Sequence, residues 1–151
     1  MSNPTDRVLP DAFITGDAIV DDEHRHLRQQ IERLRSICAE YETRQTCQGC
    51  ASEKISRCES VLLECISDLL AYMVDHFRAE ENLMKRRGIN QAHRERYLVH
   101  TEDHADIANH VAQLTHPRDP GLTVKTIAET TALISHWLDR HIVSHDVPML
   151  H

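Results

Sequence analysis

The 151-residue sequence is poor in the features from which turns, sheets and membrane spans are built. It has 4 Gly and 5 Pro, so it offers few of the residues that tight turns require. No stretch alternates apolar and polar residues as a half-buried strand does, and no apolar run approaches the ~18 residues of a membrane helix. These absences exclude a turn-rich β protein and a helical membrane protein. Since apolar residues make up 40% of the chain, we expect a single globular domain with a real core.

Positive charge is also scarce, whereas histidine is abundant. The 17 Lys and Arg residues against 24 Asp and Glu leave a net charge of −7, which argues against nucleic acid or an anionic membrane as a partner. The N-terminal MSNPTDRVLPDAF lacks the charged and apolar regions of a signal peptide, so we expect a cytoplasmic chain. The 12 histidines need an explanation, because histidine is the commonest metal ligand among side chains.

Four segments place apolar residues at spacings of three and four, which predicts four helices. They run from about Asp21 to Tyr41, from about Glu53 to Arg87, from Tyr97 to Leu114 and from Val124 to Ile142. Long helices joined by short connections favour an all-α fold, an up-down-up-down antiparallel four-helix bundle. Residues 1–17 are then an N-terminal arm, and residues 18–151 form the bundle domain.

Each predicted helix carries metal-ligand side chains within its apolar stripe. They are His24 on the first helix, His76 and Glu80 on the second, His100 and His104 on the third, and His141 on the fourth. Buried imidazoles and carboxylates are unfavourable unless they are paired, and cations pair them more readily than mutual hydrogen bonds do. The donors exceed the four of a structural zinc site, so the pattern predicts two adjacent ions. Mixed oxygen and imidazole donors favour iron or manganese.

The last ligand is ambiguous in the stretch HIVSHDVP. His145 follows His141 by four residues and would share its face of a regular helix, whereas Asp146 is roughly 140° away. Pro148 disfavours helical geometry at Val147, so we expect the helix to unwind here, which would allow Asp146 to turn back toward the site. Spacing alone does not choose between the two residues.

The sequence resembles the hemerythrins, including the bacterial ones, from about Phe13 to Val147. The resemblance rests on GDAIVDDEHRHL around His24, HFRAEE around His76, HTEDH at His100, and HWLDRHIVSHD at His141. Because hemerythrins include standard examples of this bundle topology, the resemblance and the helix count are not independent arguments for the fold.

The resemblance implies a di-iron centre and settles the last ligand in favour of Asp146. It assigns one iron to His100, His104 and His141, the other to His24 and His76, and bridging roles to Glu80, Asp146 and an oxo or hydroxo group. The second iron then has one open position, where dioxygen binds. Trp137, Leu138 and Ile142, which flank His141, are predicted to wall that position with apolar surface and keep it dry.

None of the five cysteines belongs to this pattern. Cys47 and Cys50 lie in the loop sequence TCQGC, while Cys38 and Cys58 lie at the loop ends of the flanking helices. Three interpretations of these four residues are open. They are unrelated thiols, Cys47 and Cys50 are a thiol–disulfide redox pair, or all four thiolates hold a zinc ion. By helical rise, Cys38 is about 21 Å from His24, so any such site is separate from the iron. Cys65 is expected to be packed in the core.

Three functions follow from the resemblance. The first is reversible dioxygen binding for storage or delivery; the second is an oxygen- or redox-sensing input domain of a signalling protein such as a diguanylate cyclase. The third is an enzyme acting on peroxide or nitric oxide, which we disfavour because His145 and Tyr72 are the only evident proton donors. The expected partners are dioxygen, a reductant protein or an output domain. The chain ends five residues after Asp146, which favours a domain excised from a longer polypeptide.

Overall fold

The chain folds into helices joined by short turns. The computed structural model describes residues 9–116 and 119–150. Six α-helices are present in this part of the chain: α1 (Ala18–Ser36), α2 (Ser52–Arg86), α3 (Ile89–Ala92), α4 (Arg94–Gln113), α5 (Thr123–His141) and α6 (Val147–Leu150). Three shorter turns complete it: two 3-10 turns, at Asp11–Phe13 and Pro120–Leu122, and a π-helical turn at Ile142–Asp146.

The four long helices α1, α2, α4 and α5 pack antiparallel, which confirms the predicted bundle. Helix α1 packs against α2 and α5, and α2 packs against α4. As a result, the start of α1, the end of α2, the start of α4 and the end of α5 meet at one end of the bundle. The loop between α1 and α2 and the connection before α5 lie at the opposite end. None of the helices in the described chain combines the length and apolarity needed to cross a membrane.

Helix α1 begins at Ala18, three residues before its predicted start at about Asp21, and it ends earlier than predicted. The Asp17 carboxylate accepts hydrogen bonds from the backbone N–H groups of Ile19 and Val20, both at 3.1 Å, which caps the first turn. The predicted helix continues to Tyr41, but α1 ends at Ser36. The Ser36 hydroxyl donates to the Arg33 carbonyl at 2.7 Å and competes for a helix acceptor. The next N–H, of Ile37, bonds three residues back to Leu34, so the last turn tightens and the helix stops.

The predicted end of α2 agrees with the structure. Lys85 and Arg86 occupy the last turn, where positive charge stabilises the helix dipole. Gly88 then adopts a left-handed conformation with φ of 73°, which suits a residue without a side chain. The chain therefore turns sharply through α3 into α4.

The described part of the N-terminal arm lies over the bundle. Leu9 is buried, and Thr15 is fixed to α1 because its hydroxyl and its N–H both donate to the Asp21 carboxylate, at 2.7 and 2.9 Å. Phe13 packs on the core, with the Arg28 guanidinium 4.6 Å from its ring centre. Residues 1–8 of the predicted arm lie outside the described chain.

Candidate metal centre

The seven side chains predicted as ligands meet in one buried cluster at the end of the bundle where α1 and α4 begin. They are His24 from α1, His76 and Glu80 from α2, His100 and His104 from α4, His141 from α5, and Asp146 from the π-helical turn. None of them is more than 3% exposed. Their convergence is a property of the structure, and their role as ligands stays a prediction.

Three histidines form one half of the cluster. The Nε2 atoms of His100 and His104 lie 3.1 and 2.9 Å from Nε2 of His141. Each Nε2 is either one donor or one acceptor, so three of them around one point cannot satisfy one another. Ligand atoms about 2.1 Å from a cation and at right angles to each other are about 3.0 Å apart. The observed spacing therefore suits three ligands of a single cation.

The two carboxylates face both halves of the cluster. Glu80 Oε1 lies 2.7 Å from His100 Nε2, while its Oε2 lies 3.2 Å from His76 Nε2. Asp146 Oδ1 lies 2.9 Å from His141 Nε2, while its Oδ2 lies 2.9 Å from His24 Nε2. Each carboxylate thus directs one oxygen at each group of histidines, which is the arrangement of a bridging ligand.

The donors divide into two overlapping groups of unequal size. The larger group has five members: Glu80, His100, His104, His141 and Asp146. The smaller group has four: His24, His76, Glu80 and Asp146. Within each group the ligand atoms lie within 4.8 Å of one another. The cluster therefore offers two adjacent cation positions, one of which has fewer protein donors than the other.

The π-helical turn explains how Asp146 reaches the cluster. The N–H of Val147 donates to the carbonyl of Ile142, five residues back, instead of four. One turn of this wider helix carries Asp146 round to the face that His141 occupies. The expected unwinding at Val147 is wrong, because Val147 is helical (φ −62°, ψ −50°) and begins α6. The extra residue in the turn compensates for the i+5 spacing without breaking the helix.

Three carboxylates that the sequence analysis missed pair with the Nδ1 atoms of predicted ligand histidines, on the side of each ring away from the cluster centre. Glu23 pairs with Nδ1 of His76, Glu81 Oε1 lies 3.0 Å from Nδ1 of His104, and Asp103 Oδ2 lies 2.6 Å from Nδ1 of His141. In each pair the histidine donates from Nδ1, which leaves its Nε2 lone pair for a cation. The sequence contained a signal for them, because each acid is next to a predicted ligand: Glu23 precedes His24, Glu81 follows Glu80, and Asp103 precedes His104.

The electrostatics of the cluster favour a positive charge at its centre. Burial alone would lower the pKa of His76, but its pairing with Glu23 and Glu80 raises that pKa to about 9. Burial would likewise raise the pKa of Glu80, but contacts with His100 and His104 hold it well below its usual value. The two carboxylates therefore stay ionised, and protons or cations must neutralise them.

Buried atoms without hydrogen bonds test whether cations fit here. In the described chain both ring nitrogens of His24, both carboxylate oxygens of Asp146 and Oε2 of Glu80 are buried and have no hydrogen-bond partner of suitable geometry. His24 Nε2 and Asp146 Oδ2 are close, but their orientation does not suit a hydrogen bond. Unpaired buried groups of this kind are strongly destabilising unless something binds them. The residues therefore fit a pair of cations.

The three side chains of the predicted apolar wall are buried, and Trp137 contacts the three-histidine half of the cluster. Trp137 stacks on His141, with ring centres 4.4 Å apart, and Leu138 and Ile142 are packed in the core. Phe77, which the sequence analysis did not single out, stacks on His104 with ring centres 4.0 Å apart. Because Phe77 follows the ligand His76 directly, its position in HFRAEE was the available signal.

His145, the alternative to Asp146, lies at the edge of the cluster. Its side chain is 25% exposed, and its Nε2 is 3.9 Å from Asp103 Oδ2. Its ring centre lies 5.2 Å from that of His100 and 5.1 Å from that of His141. Burial, and the charges of His141 and His100, lower its pKa. The structure thus brings Asp146 into the shared position between the two groups and leaves His145 on the three-histidine side.

Four of the five cysteines line one cavity of about 170 Å³ at the opposite end of the bundle: Cys38, Cys47, Cys50 and Cys58. All of them are free thiols. Among the described residues, no cysteine belongs to a group of three possible ligands within 4.8 Å of one another. Cys65 is buried in the core.

Comparison with known families agrees with the cluster. No curated protein and no solved structure gave a significant match. Residues 15–147 match the family described as the hemerythrin HHE cation-binding domain. That range includes all seven side chains of the buried cluster and all four long helices. The chain belongs to the hemerythrin HHE cation-binding family.

Proposed function

We propose that the chain is a non-haem di-iron protein that binds dioxygen reversibly, for oxygen or redox sensing or for oxygen storage. The observation that carries this proposal is the unequal division of donors: five protein ligands surround one cation position and four surround the other. When bound, two iron ions supply the electrons that hold dioxygen and take them back on its release. The position with fewer donors is where a small ligand has room to bind.

The donor set supports iron as the metal. Five imidazoles and two carboxylates provide nitrogen and hard oxygen ligands, and no thiol of the described chain takes part. Such a mixture suits iron or manganese better than a metal that prefers sulfur. The two ionised carboxylates also offset part of the metal charge, which reduces the cost of holding two cations in a dry interior.

The surroundings of the cluster support binding over catalysis. Every side chain of the cluster is buried, including His24 and His76 beside the four-donor position, which reduces the supply of water and protons to a bound gas molecule. His145 is the predicted proton donor nearest to the cluster, and its ring lies beside His100 and His141, in the five-donor group. It is therefore poorly placed to protonate a ligand held beside His24 and His76. We propose that the chain is not an enzyme.

Visible absorption of the purified protein tests the proposal. The protein is reduced anaerobically with dithionite, exposed to air and then flushed with argon, and its iron content is measured in parallel. We expect about two irons per chain and charge-transfer bands that appear in air and disappear under argon. Two irons with no spectral response to oxygen, or irreversible oxidation without an adduct, would contradict oxygen binding. The lifetime of the adduct separates the roles: hours favour storage, and minutes favour sensing.

A further inference from the structure

The loop between α1 and α2 holds two cysteines in a geometry that permits a disulfide. The N–H of Cys50 donates to the carbonyl of Cys47 at 3.0 Å, which closes a four-residue β-turn. Gly49 in that turn has φ of +91°, the conformation that a type II turn requires at its third residue. The Cα atoms at the ends of a β-turn are less than about 7 Å apart, which covers the range of about 4.4–6.8 Å found in disulfides.

The two thiols of this turn have different environments. Cys47 is 8% exposed, and its N–H donates to the carbonyl of Gly121 at 2.9 Å, which fixes the turn to the connection before α5. Cys50 is only partly buried, and the Arg44 guanidinium donates to its sulfur at 3.0 Å. A guanidinium in this position stabilises a thiolate. Cys50 is thus the accessible nucleophile, and Cys47 is the buried partner.

The cavity beside the turn gives a reactant access to these thiols. Its volume is about 170 Å³, and both cysteines of the turn line it. Arg44 and Lys54 contribute positive charge to the lining, and Glu40, which pairs with Arg44 at 3.3 Å, contributes a negative charge. Val124 and Ile127 contribute apolar surface. The site is independent of the metal centre, because Cys58, which also lines the cavity, is about 27 Å along α2 from His76 by helical rise.

We infer that Cys47 and Cys50 form a redox-active dithiol whose oxidant is a low-molecular-weight disulfide. The Cys50 thiolate forms a bond to one sulfur of the small disulfide, the S–S bond of that disulfide breaks, and one small thiolate leaves. The deprotonated Cys47 then forms a bond to the Cys50 sulfur and releases the second small thiolate. The protein loses two electrons and two protons, and the small disulfide is reduced to two thiols.

Glutathione disulfide is the probe for this reaction. The full-length protein, with its metal bound, is incubated with mixtures of glutathione and its disulfide, and free thiols are then alkylated. Trypsin releases residues 45–54 as one peptide, which contains Cys47 and Cys50 and no other cysteine. We expect that peptide to lose the mass of two hydrogens and to resist alkylation, while the iron content stays unchanged.

Single-cysteine variants test the two roles. In Cys47→Ser, the mixed disulfide with glutathione at Cys50 has no partner to resolve it, so it is expected to accumulate. In Cys50→Ser, reaction at the buried Cys47 is expected to be much slower. Cys38→Ser is the matched control, because Cys38 lines the same cavity outside the turn, and this variant should form the Cys47–Cys50 disulfide normally.

Arg44 tests the activation of Cys50. We expect Arg44→Gln to slow oxidation by about three- to tenfold at neutral pH, because the attacking Cys50 sulfur loses the cationic donor that lies 3.0 Å away. Arg86→Gln, which removes the same charge from an exposed position at the far end of α2, should leave the rate unchanged. Three results would overturn the inference: a pair that stays reduced in excess glutathione disulfide, a disulfide that joins other cysteines, or a zinc ion held by the thiols at one per chain.

Discussion

At the scale of single residues, Glu80 joins the two halves of the cluster, because its two oxygens face different histidines. Glu80→Gln replaces one of those oxygens with an amide nitrogen, which is a donor and cannot bind a cation. We expect the iron content, measured by mass spectrometry of the metal, to fall to about one ion per chain or less. Glu81→Gln is the control: its amide oxygen can still accept from His104, so both ions should remain. Full occupancy in Glu80→Gln would show that Glu80 does not bridge.

Asp103 acts on the cluster through another residue, since its carboxylate lies 2.6 Å from Nδ1 of His141. Asp103→Asn keeps an acceptor there and removes the charge that makes His141 a stronger ligand. Such a change typically weakens metal affinity by about 10- to 100-fold without emptying the site. Competition with a chelator measures this loss. Asp106→Asn, on the exposed side of the same helix, should leave the affinity unchanged, and equal effects in the two variants would indicate a general charge effect.

At the scale of elements, the π-helical turn at Ile142–Asp146 determines which residue of HIVSHD enters the cluster. A π-turn contains one residue more than an α-turn, so deleting Val143, which is 46% exposed, should restore a regular helix. His141 and the aspartate would then be four residues apart and still share a face. We therefore expect the deletion to retain both irons. Loss of iron from a fully helical deletion variant would contradict this account of the turn.

Exchanging two residues of the π-helical turn, with the length of the chain unchanged, is a second test of its role. In a chain of normal length, exchanging the residues at positions 145 and 146 (His145→Asp with Asp146→His) moves the carboxylate to the outer position that His145 occupies, where the side chain is 25% exposed. We expect this double variant to lose at least one iron, because the bridging carboxylate no longer lies between the two groups of histidines. Normal iron content in the swapped chain would mean that the turn adapts to the carboxylate.

The helical period alone predicted six of the seven clustered side chains. It did not place Asp146, and it missed the carboxylates that contact the ligand histidines. Residues such as His76 and Glu80 were found because an apolar stripe predicts which face is buried. Asp146 could be placed only by resemblance, because Pro148 indicated a helix end where the chain instead forms a wider turn. Glu23 and Asp103 were missed because they flank the buried stripe and reach the ligand histidines from the side.

At the scale of the whole molecule, the bundle keeps two kinds of chemistry apart. The metal cluster lies at the end where α1 and α4 begin, and the thiol cavity lies at the opposite end. Between them the helices pack through fully buried aliphatic side chains such as Leu34, Leu62 and Leu69. Burial of each such side chain contributes about 1.5–3 kcal/mol, and this packing supports the unfavourable burial of the polar cluster.

The charge of that cluster links its stability to pH, with opposite signs in the metal-free and the iron-loaded protein. In the metal-free protein the pKa of His76 is raised to about 9, above its value of about 6.5 in an unfolded chain. Its stabilising contribution is therefore fully present below about pH 6.5 and is lost as the pH rises through about 9, on the order of 3 kcal/mol in all. In the loaded protein, cations replace those protons, so binding and stability increase over the same interval.

Urea unfolding of both forms across this interval measures the two slopes. The metal-free protein, prepared with a chelator, should become less stable as the pH rises, while the iron-loaded protein should become more stable. His76→Gln should flatten the slope of the metal-free form, whereas His110→Gln, at an exposed position of α4, should leave it unchanged. Metal-free protein that gains stability between about pH 6.5 and about 9 would show that protons do not neutralise the cluster, because Glu80 and Asp146 are ionised throughout that interval.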